Sequence, residues 1–296
     1  MKILIIGAKG FIGSHLVKYF SISHEVWGAD VYDKSEKNYI KLDMQNTNFE
    51  IIFEQMEFDV CINASGNGSV PISLNKPVFD YELNVTNTIK ILDAIRVHNP
   101  SCKFINMSSA AVYGNPITLP IVETMELKPL SPYGWHKLYA EQLCKEYYYL
   151  YNIKTINLRL FSVYGENLRK QLFWDTYQKT LRSQHIELFG TGDETRDFIY
   201  VKDLLDAIDC IINRGLFNGE AVNIASGEET TIKDATQKFC EFIDPAIKIS
   251  FNKIVKPGDP LNWLADINML KSFGFQPRVK IEVGLENTVE WLKENK

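Results

Sequence analysis

The sequence predicts an α/β fold, a Rossmann-type doubly wound parallel sheet with a smaller C-terminal α/β substrate-binding lobe. Three observations carry this. Short apolar runs alternate with stretches of helical periodicity through the first half of the chain. Glycines 7, 10 and 13, spaced G-x-x-G-x-x-G, follow the first run directly. Beyond Gly165 the alternation loosens, which marks a second lobe.

The elements follow in order. Lys2–Ile6 (KILII) is continuously apolar, as a strand buried on both faces requires. A helix is expected from about Ile12 to Phe20, then strands at Glu25–Ala29 and Tyr39–Leu42. DVCIN (Asp59–Asn63) and KFIN (Lys103–Asn106) read as further strands. Asn84–His98 carries Val85, Ile89, Leu92 and Ile95 at helical spacing, and Pro100 stops that helix. Tyr133–Tyr151 is a long helix and Lys154–Leu158 a strand. Strands alternating with helices give a parallel sheet covered on both faces. Farther on, helices are expected at Leu172–Ser183, Ile232–Phe242 and Ile281–Lys293, with a turn, strand and helix in GTGDETRDFIYVKDLLDAI. The dinucleotide lobe is expected over residues 1–163, with 198–226 returning to it, and the substrate lobe mainly over 164–296.

Composition excludes several other classes. With 45% hydrophobic and 23% charged residues, the chain has an ordinary globular balance. A net charge of −5 and the lack of a long basic run give no electrostatic support for nucleic acid or an anionic membrane as partner. The apolar runs are too short to span a bilayer. The apolar start is broken by glycines and enters a motif at once, so it does not read as a signal peptide. Cys61, Cys102, Cys144, Cys210 and Cys240 are odd in number and scattered, without a CxxC pair. Neither a disulfide framework nor a zinc site is expected, and the histidines lack ligand spacing; no metal is expected and cytoplasm is the natural compartment.

The glycine motif has a physical reason. Glycine tolerates positive φ at a tight turn. A missing side chain lets a pyrophosphate approach the backbone, and the helix that follows offers free N–H groups and a partial positive charge. Asp30, at the end of the second strand, is placed to accept hydrogen bonds from an adenosine ribose. It would repel a 2′-phosphate, so NAD is expected over NADP, although Lys9 and Lys34 lie near in sequence. A plain strand-end turn is the alternative for Asp30.

Tyr133 and Lys137, four apart in SPYGWHKL, share one helix face. A nearby ammonium favours phenolate, so Lys137 is expected to lower Tyr133 from its ordinary value near ~10 and make it a general acid/base. Ser109, in FINMSSAAVYG, follows a strand and can hydrogen-bond the hydroxyl that Tyr133 would deprotonate.

Taken together, GAKGFIGSHL, SSAAVYG, PYGWHKL, RDFIYVKDLLDAI and KPGDP resemble the extended short-chain dehydrogenase/reductases, in the NAD-dependent epimerase/dehydratase group. The resemblance covers essentially the whole chain. It implies bound NAD, a nucleotide-diphosphate sugar as substrate and a homodimer. It implies that Phe11 and Ile12 lie beside the cofactor phosphates, that Asp43 lies near the adenine, and that Ala64 and Ser65 line the pyrophosphate and ribose. The family more often has His-x-Ala-Ala where this chain has INASG. Asn84 matches an asparagine that braces the active-site strands; a helix N-cap is the plain alternative. On the substrate side it implies sugar contact at Ser69, base stacking at Phe189 and diphosphate binding at Arg196 and Lys256. Phe189 would look the same as a core residue, and Arg196 as a local partner of Asp197 or Glu194. Lys256 replaces the family's usual arginine and keeps charge without the bidentate fork.

Dehydratases of this group carry Asp-Glu after the Ser/Thr, and decarboxylases a Glu. Here Ala110 and Ala111 cannot titrate. The expected reaction is therefore 4-epimerisation of the UDP-glucose/UDP-galactose type or an N-acetyl relative. An NAD(P)H-dependent 4-keto-sugar reductase and a non-catalytic dinucleotide sensor are the alternatives.

Overall fold

The computed structural model describes residues 1–34, 36–44, 47–254, 258 and 260–295. In chain order its elements are β1 (Lys2–Ile6), α1 (Phe11–Phe20), β2 (Glu25–Asp30), β3 (Tyr39–Lys41), α2 (Glu50–Gln55), β4 (Val60–Asn63), α3 (Val70–Asn75), α4 (Pro77–Tyr81), a π-helical turn (Glu82–Thr86), α5 (Asn87–His98), β5 (Lys103–Ser109) and a 3₁₀ turn (Ala110–Val112). There follow α6 (Pro132–Tyr151), β6 (Thr155–Leu160), β7 (Ser162–Tyr164), α7 (Gln171–Thr180), β8 (His185–Leu188), β9 (Thr195–Tyr200), α8 (Val201–Arg214), β10 (Asn218–Ile224), β11 (Glu229–Thr231), α9 (Ile232–Ile243), β12 (Lys248–Phe251), α10 (Asn268–Ser272) and α11 (Ile281–Glu294).

The chain divides into two compact units. The first comprises Met1–Gly114, Glu126–Leu160 and Asp209–Val222. Its sheet has the strand order β10-β6-β5-β4-β1-β2-β3. Pairing is parallel from β3 across β2, β1, β4 and β5 to β6. Residues Ile3–Ile6 of β1 are wholly shielded, as a central strand covered on both faces must be. One face is filled by Phe49, Ile52 and Phe53 of the α2 region, Ile91, Leu92 and Ile95 of α5, and Cys144 and Tyr147 of α6. From β1 the chain winds outward through β2 and β3, then returns to β4 on the other side of β1. That reversal is the topological switch point, where doubly wound sheets bind ligands. Ile6, Asn63 and Asn106 lie in one row across β1, β4 and β5. β5 continues three residues past this row and ends on Ser109.

The second unit comprises Asn115–Met125, Phe161–Ile208 and Asn223–Lys296. β9 pairs parallel with β7 and antiparallel with β11, and β12 pairs parallel with β8. Phe173 anchors its core against Phe239 and Phe198, with ring centroids 5.1 and 5.3 Å away.

Several elements differ from the sequence reading. The strand expected over Lys103–Asn106 runs on to Ser109, because Met107 and Ser108 are as buried as the residues before them. The helix expected over Asn84–His98 opens in a π-helical turn that contains Asn84. Two short helices, α3 and α4, precede it; each has proline in its first turn, where a missing N–H costs nothing.

Candidate active site

The glycine turn is tight for reasons visible in the backbone. Gly7 has φ +83°, and a Cβ there would stand 2.7 Å from the Ala64 carbonyl and the Ser65 nitrogen. The loops after β1 and β4 therefore meet at the switch point through backbone alone. A Cβ on Gly13 would stand 2.0 Å from the Gly7 carbonyl oxygen, so α1 packs against the turn without intervening side chain. Gly10 is the N-cap of α1 and makes no side-chain cap. The first-turn N–H groups, at Phe11 and Ile12, have no acceptor one turn back in the helix. This cradle fits a dinucleotide pyrophosphate. Asp30 accepts the Lys9 N–H on Oδ2 and the Val31 N–H on Oδ1, both at 2.7 Å, and so also braces the turn. Lys9 sends its ammonium to Glu36 at 2.5 Å, over the Tyr39 ring. The Phe11 ring lies edge-on to His15. Ser65 donates its hydroxyl to Asn63 Oδ1 at 2.6 Å, and Asp43 accepts the Thr47 hydroxyl on its carbonyl.

The departure at INASG has a structural basis. Gly66 has φ +101°, and a Cβ there would be 2.4 Å from Asn84 Oδ1. Asn84 is not an N-cap. It lies within the helical run and donates Nδ2 to the Asn67 carbonyl and to Asp80 Oδ1, both at 3.2 Å.

Helix α6 brings the catalytic candidates together. Ser131 caps it, accepting the Gly134 N–H at 3.2 Å, and Pro132 opens it with φ already helical. A Cβ on Gly134 would be 2.7 Å from the Ala111 carbonyl, so the helix start sits directly on the 3₁₀ turn after β5. This brings Ser109 close enough to Tyr133 to favour its ionised form by hydrogen bonding. Lys137 is buried, its ammonium 5.8 Å from the Tyr133 ring centroid and donating to the Met107 carbonyl at 2.8 Å. One turn on, Glu141 accepts Ser108 Oγ at 2.5 Å and pairs with Arg159 at 2.8 Å, and Arg159 in turn reaches the Tyr113 hydroxyl. This buried set fastens α6 to β5 and β6; its one sequence signal was Glu141 at helical spacing from Lys137.

One expectation needs correction. The chain alone does not lower Tyr133; it raises it. Desolvation is the larger cause, the Ser109 hydrogen bond opposes it, and the Asp80 carboxylate adds to the rise. The Lys137 ammonium donates to the Met107 carbonyl at 2.8 Å and is not among the causes that set this direction.

The sequence profile of the NAD-dependent epimerase/dehydratase family matches residues 3–225. The chain belongs to this family, within the extended short-chain dehydrogenase/reductases. Its cofactor is NAD. A Methanocaldococcus jannaschii protein, assigned provisionally as a UDP-glucose 4-epimerase, is 32% identical, with 99% of each chain covered. A Bacillus cereus UDP-glucuronic acid 4-epimerase, solved with UDP-glucuronic acid and NAD, is 28% identical, with a TM-score of 0.91 and all of both chains covered. A UDP-N-acetylglucosamine 4-epimerase from Methanobrevibacter ruminantium, solved with UDP-N-acetylmuramic acid, is 26% identical, with a TM-score of 0.90 over 100% of this chain and 99% of that one.

For this family member the remaining candidates are placed as follows. Ser69 caps α3, accepting the Ile72 N–H at 3.4 Å. Phe189 is 46% exposed, which removes the core reading, and the Lys179 ammonium lies 5.6 Å from its ring centroid. Arg196 donates to the Thr195 and Leu261 carbonyls and lies over the Trp263 ring. Its two suggested local partners are turned elsewhere: Asp197 accepts from Ser226, Gly227 and Ala265, and Glu194 from Thr191 and Gly192. Lys256 lies outside the described residues. Among the described residues no His/Cys/Asp/Glu group is arranged to hold a metal ion, and no helix is long and apolar enough to cross a membrane.

Proposed function

We propose that the chain is a nucleotide-sugar 4-epimerase acting on a UDP-hexose of the glucose/galactose type or an N-acetyl relative. The observation that carries this is Ser109 at the end of β5 beside Tyr133 at the start of α6, followed by Ala110 and Ala111, which offer no second proton carrier. The UDP sugars named for the relatives support the nucleotide.

On this reading Gly7, Gly10, Phe11, Ile12 and Gly13 take the pyrophosphate, Asp30 the adenosine ribose, and Asp43, Ala64 and Ser65 its flanks. When bound, NAD supplies a reversible hydride acceptor and, oxidised, a positive charge. Tyr133 Oη takes the proton from the sugar 4-hydroxyl and later returns it to the same oxygen. Ser109 Oγ hydrogen-bonds that oxygen and orients it. Lys137 holds the strand end through Met107 and offsets negative charge as the phenol ionises. Arg196, with Lys256, holds the diphosphate; Phe189 stacks on the base and Ser69 meets the sugar. The reaction is an isomerisation, so no reductant is consumed.

We place the enzyme in the cytoplasm, where its free cysteines stay reduced, and as a homodimer. Exposed apolar side chains on α5 and α6, among them Ile89, Val97, Trp135 and Tyr139, supply a face for a second copy. Light scattering tests the dimer.

The deciding experiment incubates purified protein with single UDP-hexoses without added cofactor. Interconversion is expected, with NAD released on denaturation, and Tyr133→Phe is expected to cost about 10²–10⁴-fold in rate. Turnover only with stoichiometric NAD(P)H would replace this reading by a 4-keto reductase. Undiminished cellular activity of Tyr133→Phe would favour a dinucleotide sensor.

A further inference from the structure

One buried ionisable cluster has no part in the chemistry above. Asp80, the fourth residue of α4, is wholly shielded from solvent. A carboxylate there is costly unless both oxygens are hydrogen-bonded. Oδ1 accepts Asn67 Nδ2 at 2.5 Å and Asn84 Nδ2 at 3.2 Å, and Oδ2 faces His136 Nδ1 at 2.5 Å. The donors come from three segments: the loop after β4, the π-helical turn and α6. Each adjoins residues assigned to the reaction. Asn67 lies between Ser65 and Ser69, and the Asn84 side chain packs on Gly66. His136 precedes Lys137 and lies about one turn beyond Tyr133. It is 8% exposed, with its ring edge-on to Tyr81 at 5.3 Å and tilted against Tyr139.

We propose that Asp80 and His136 are positioning residues for Tyr133, tying the first turns of α6 to the loop after β4 through a buried carboxyl group. This rests on reading Tyr133 as the acid/base. Of the groups that act on the phenol, β5 contributes Ser109, α6 contributes Lys137, 5.8 Å from its ring centroid, and α4 contributes Asp80, which acts through space. The Asp80 carboxylate adds to desolvation in raising the phenol. His136 keeps that carboxylate aimed.

The test has two arms. In the first, ¹³Cζ-tyrosine NMR follows the Tyr133 titration in the intact chain, assigned by Tyr133→Phe. Asp80→Asn should move it down by about half a pH unit or more. A smaller shift overturns the charge role; if Asp80→Asn fails to fold, Asp80→Ser is measured by the same criterion. In the second, His136→Ala should lower kcat about tenfold at little-changed KM, and His136→Gln, which keeps an N–H donor, should recover most of it. A loss under about threefold, or equal loss in both variants, overturns the positioning role. Activity surviving in Tyr133→Phe would defeat the epimerase reading by itself, while the titration arm still decides whether Asp80 acts on the phenol.

Discussion

Gly10 and Gly13 belong to one motif, yet the structure gives them different reasons to be glycine, and alanine at each position separates the two. A Cβ at residue 13 would stand 2.0 Å from the Gly7 carbonyl oxygen and 2.8 Å from its carbon. Neither atom can rotate away, so α1 and the turn must part by more than about 1 Å to regain ordinary contact. Overpacking of that kind costs about 1–3 kcal/mol. In a chain of this size that lowers Tm by about 2 °C for each kcal/mol. Gly10 is different. Its φ of −70° and ψ of 171° suit any residue, and a Cβ would be 3.3 Å from the Gly7 oxygen. Gly10→Ala should therefore leave the Tm of the stripped protein within about 2 °C. If the missing side chain exists to admit a pyrophosphate, the same methyl group meets the ligand. A clash worth about 1–3 kcal/mol weakens NAD about 10–100-fold. Differential scanning calorimetry and titration calorimetry on stripped protein read the two effects separately. NAD affinity in Gly10→Ala within about threefold of the parent would refute the cradle, whatever Gly13→Ala does.

Other outcomes are expected from single residues. Arg159→Met leaves Glu141 buried and unpaired and should cost about 3–5 kcal/mol by urea denaturation, whereas adding Glu141→Leu should recover most of it; equal stability of single and double variants would contradict the buried-pair account. Asp30→Ala should weaken NAD about tenfold and raise the NADP-to-NAD preference, read by titration calorimetry with each dinucleotide. Phe189→Ala should raise KM for the nucleotide sugar several-fold with kcat unchanged, since a ring that stacks on the base, as proposed, offers binding alone. Burial pushes Asp197 up to about 6 against hydrogen bonds from Ser226 and the Ala265 and Gly227 N–H groups. Between its ordinary value of 3.8 and about 6 the folded state holds a proton that the unfolded state has released, so this group's contribution to stability falls as pH rises through that window. The stability difference between wild type and Asp197→Asn should carry that slope; a flat difference between pH 4 and 6 would refute it.

The sheet was legible because its strands are covered on both faces, and continuous apolar runs such as KILII and VCIN have few other uses. Ser109, Tyr133 and Lys137 were legible because helical spacing and a strand end are local properties. What escaped the sequence is pairing across distance. His136 stood beside Lys137 in plain view, but its partner Asp80 lies 56 residues earlier, in a helix too short to show periodicity. Glu141 and Arg159 likewise look like surface charges until β6 is laid beside β5. The sign of the Tyr133 shift was missed for a related reason. Spacing reveals that an ammonium is near, but not how far the surroundings desolvate the phenol.

That sign bears on the chemistry. A 4-epimerase must move its proton both ways at one oxygen, so a single group has to serve as base and as acid. Ala110 and Ala111 provide no second carrier, which leaves the task to Tyr133. A phenol held strongly ionised would take the proton readily and return it poorly; proton transfer is most efficient when the pKa lies near the working pH. In this chain desolvation and Asp80 push the phenol up while Ser109 pulls it down. Opposed contributions of this kind leave room for a bound positive charge to bring the phenol into a two-way range. On this reading Asp80 adds to desolvation on the side that holds the proton: without it, a bound positive charge would move Tyr133 further toward phenolate and slow the return of the proton.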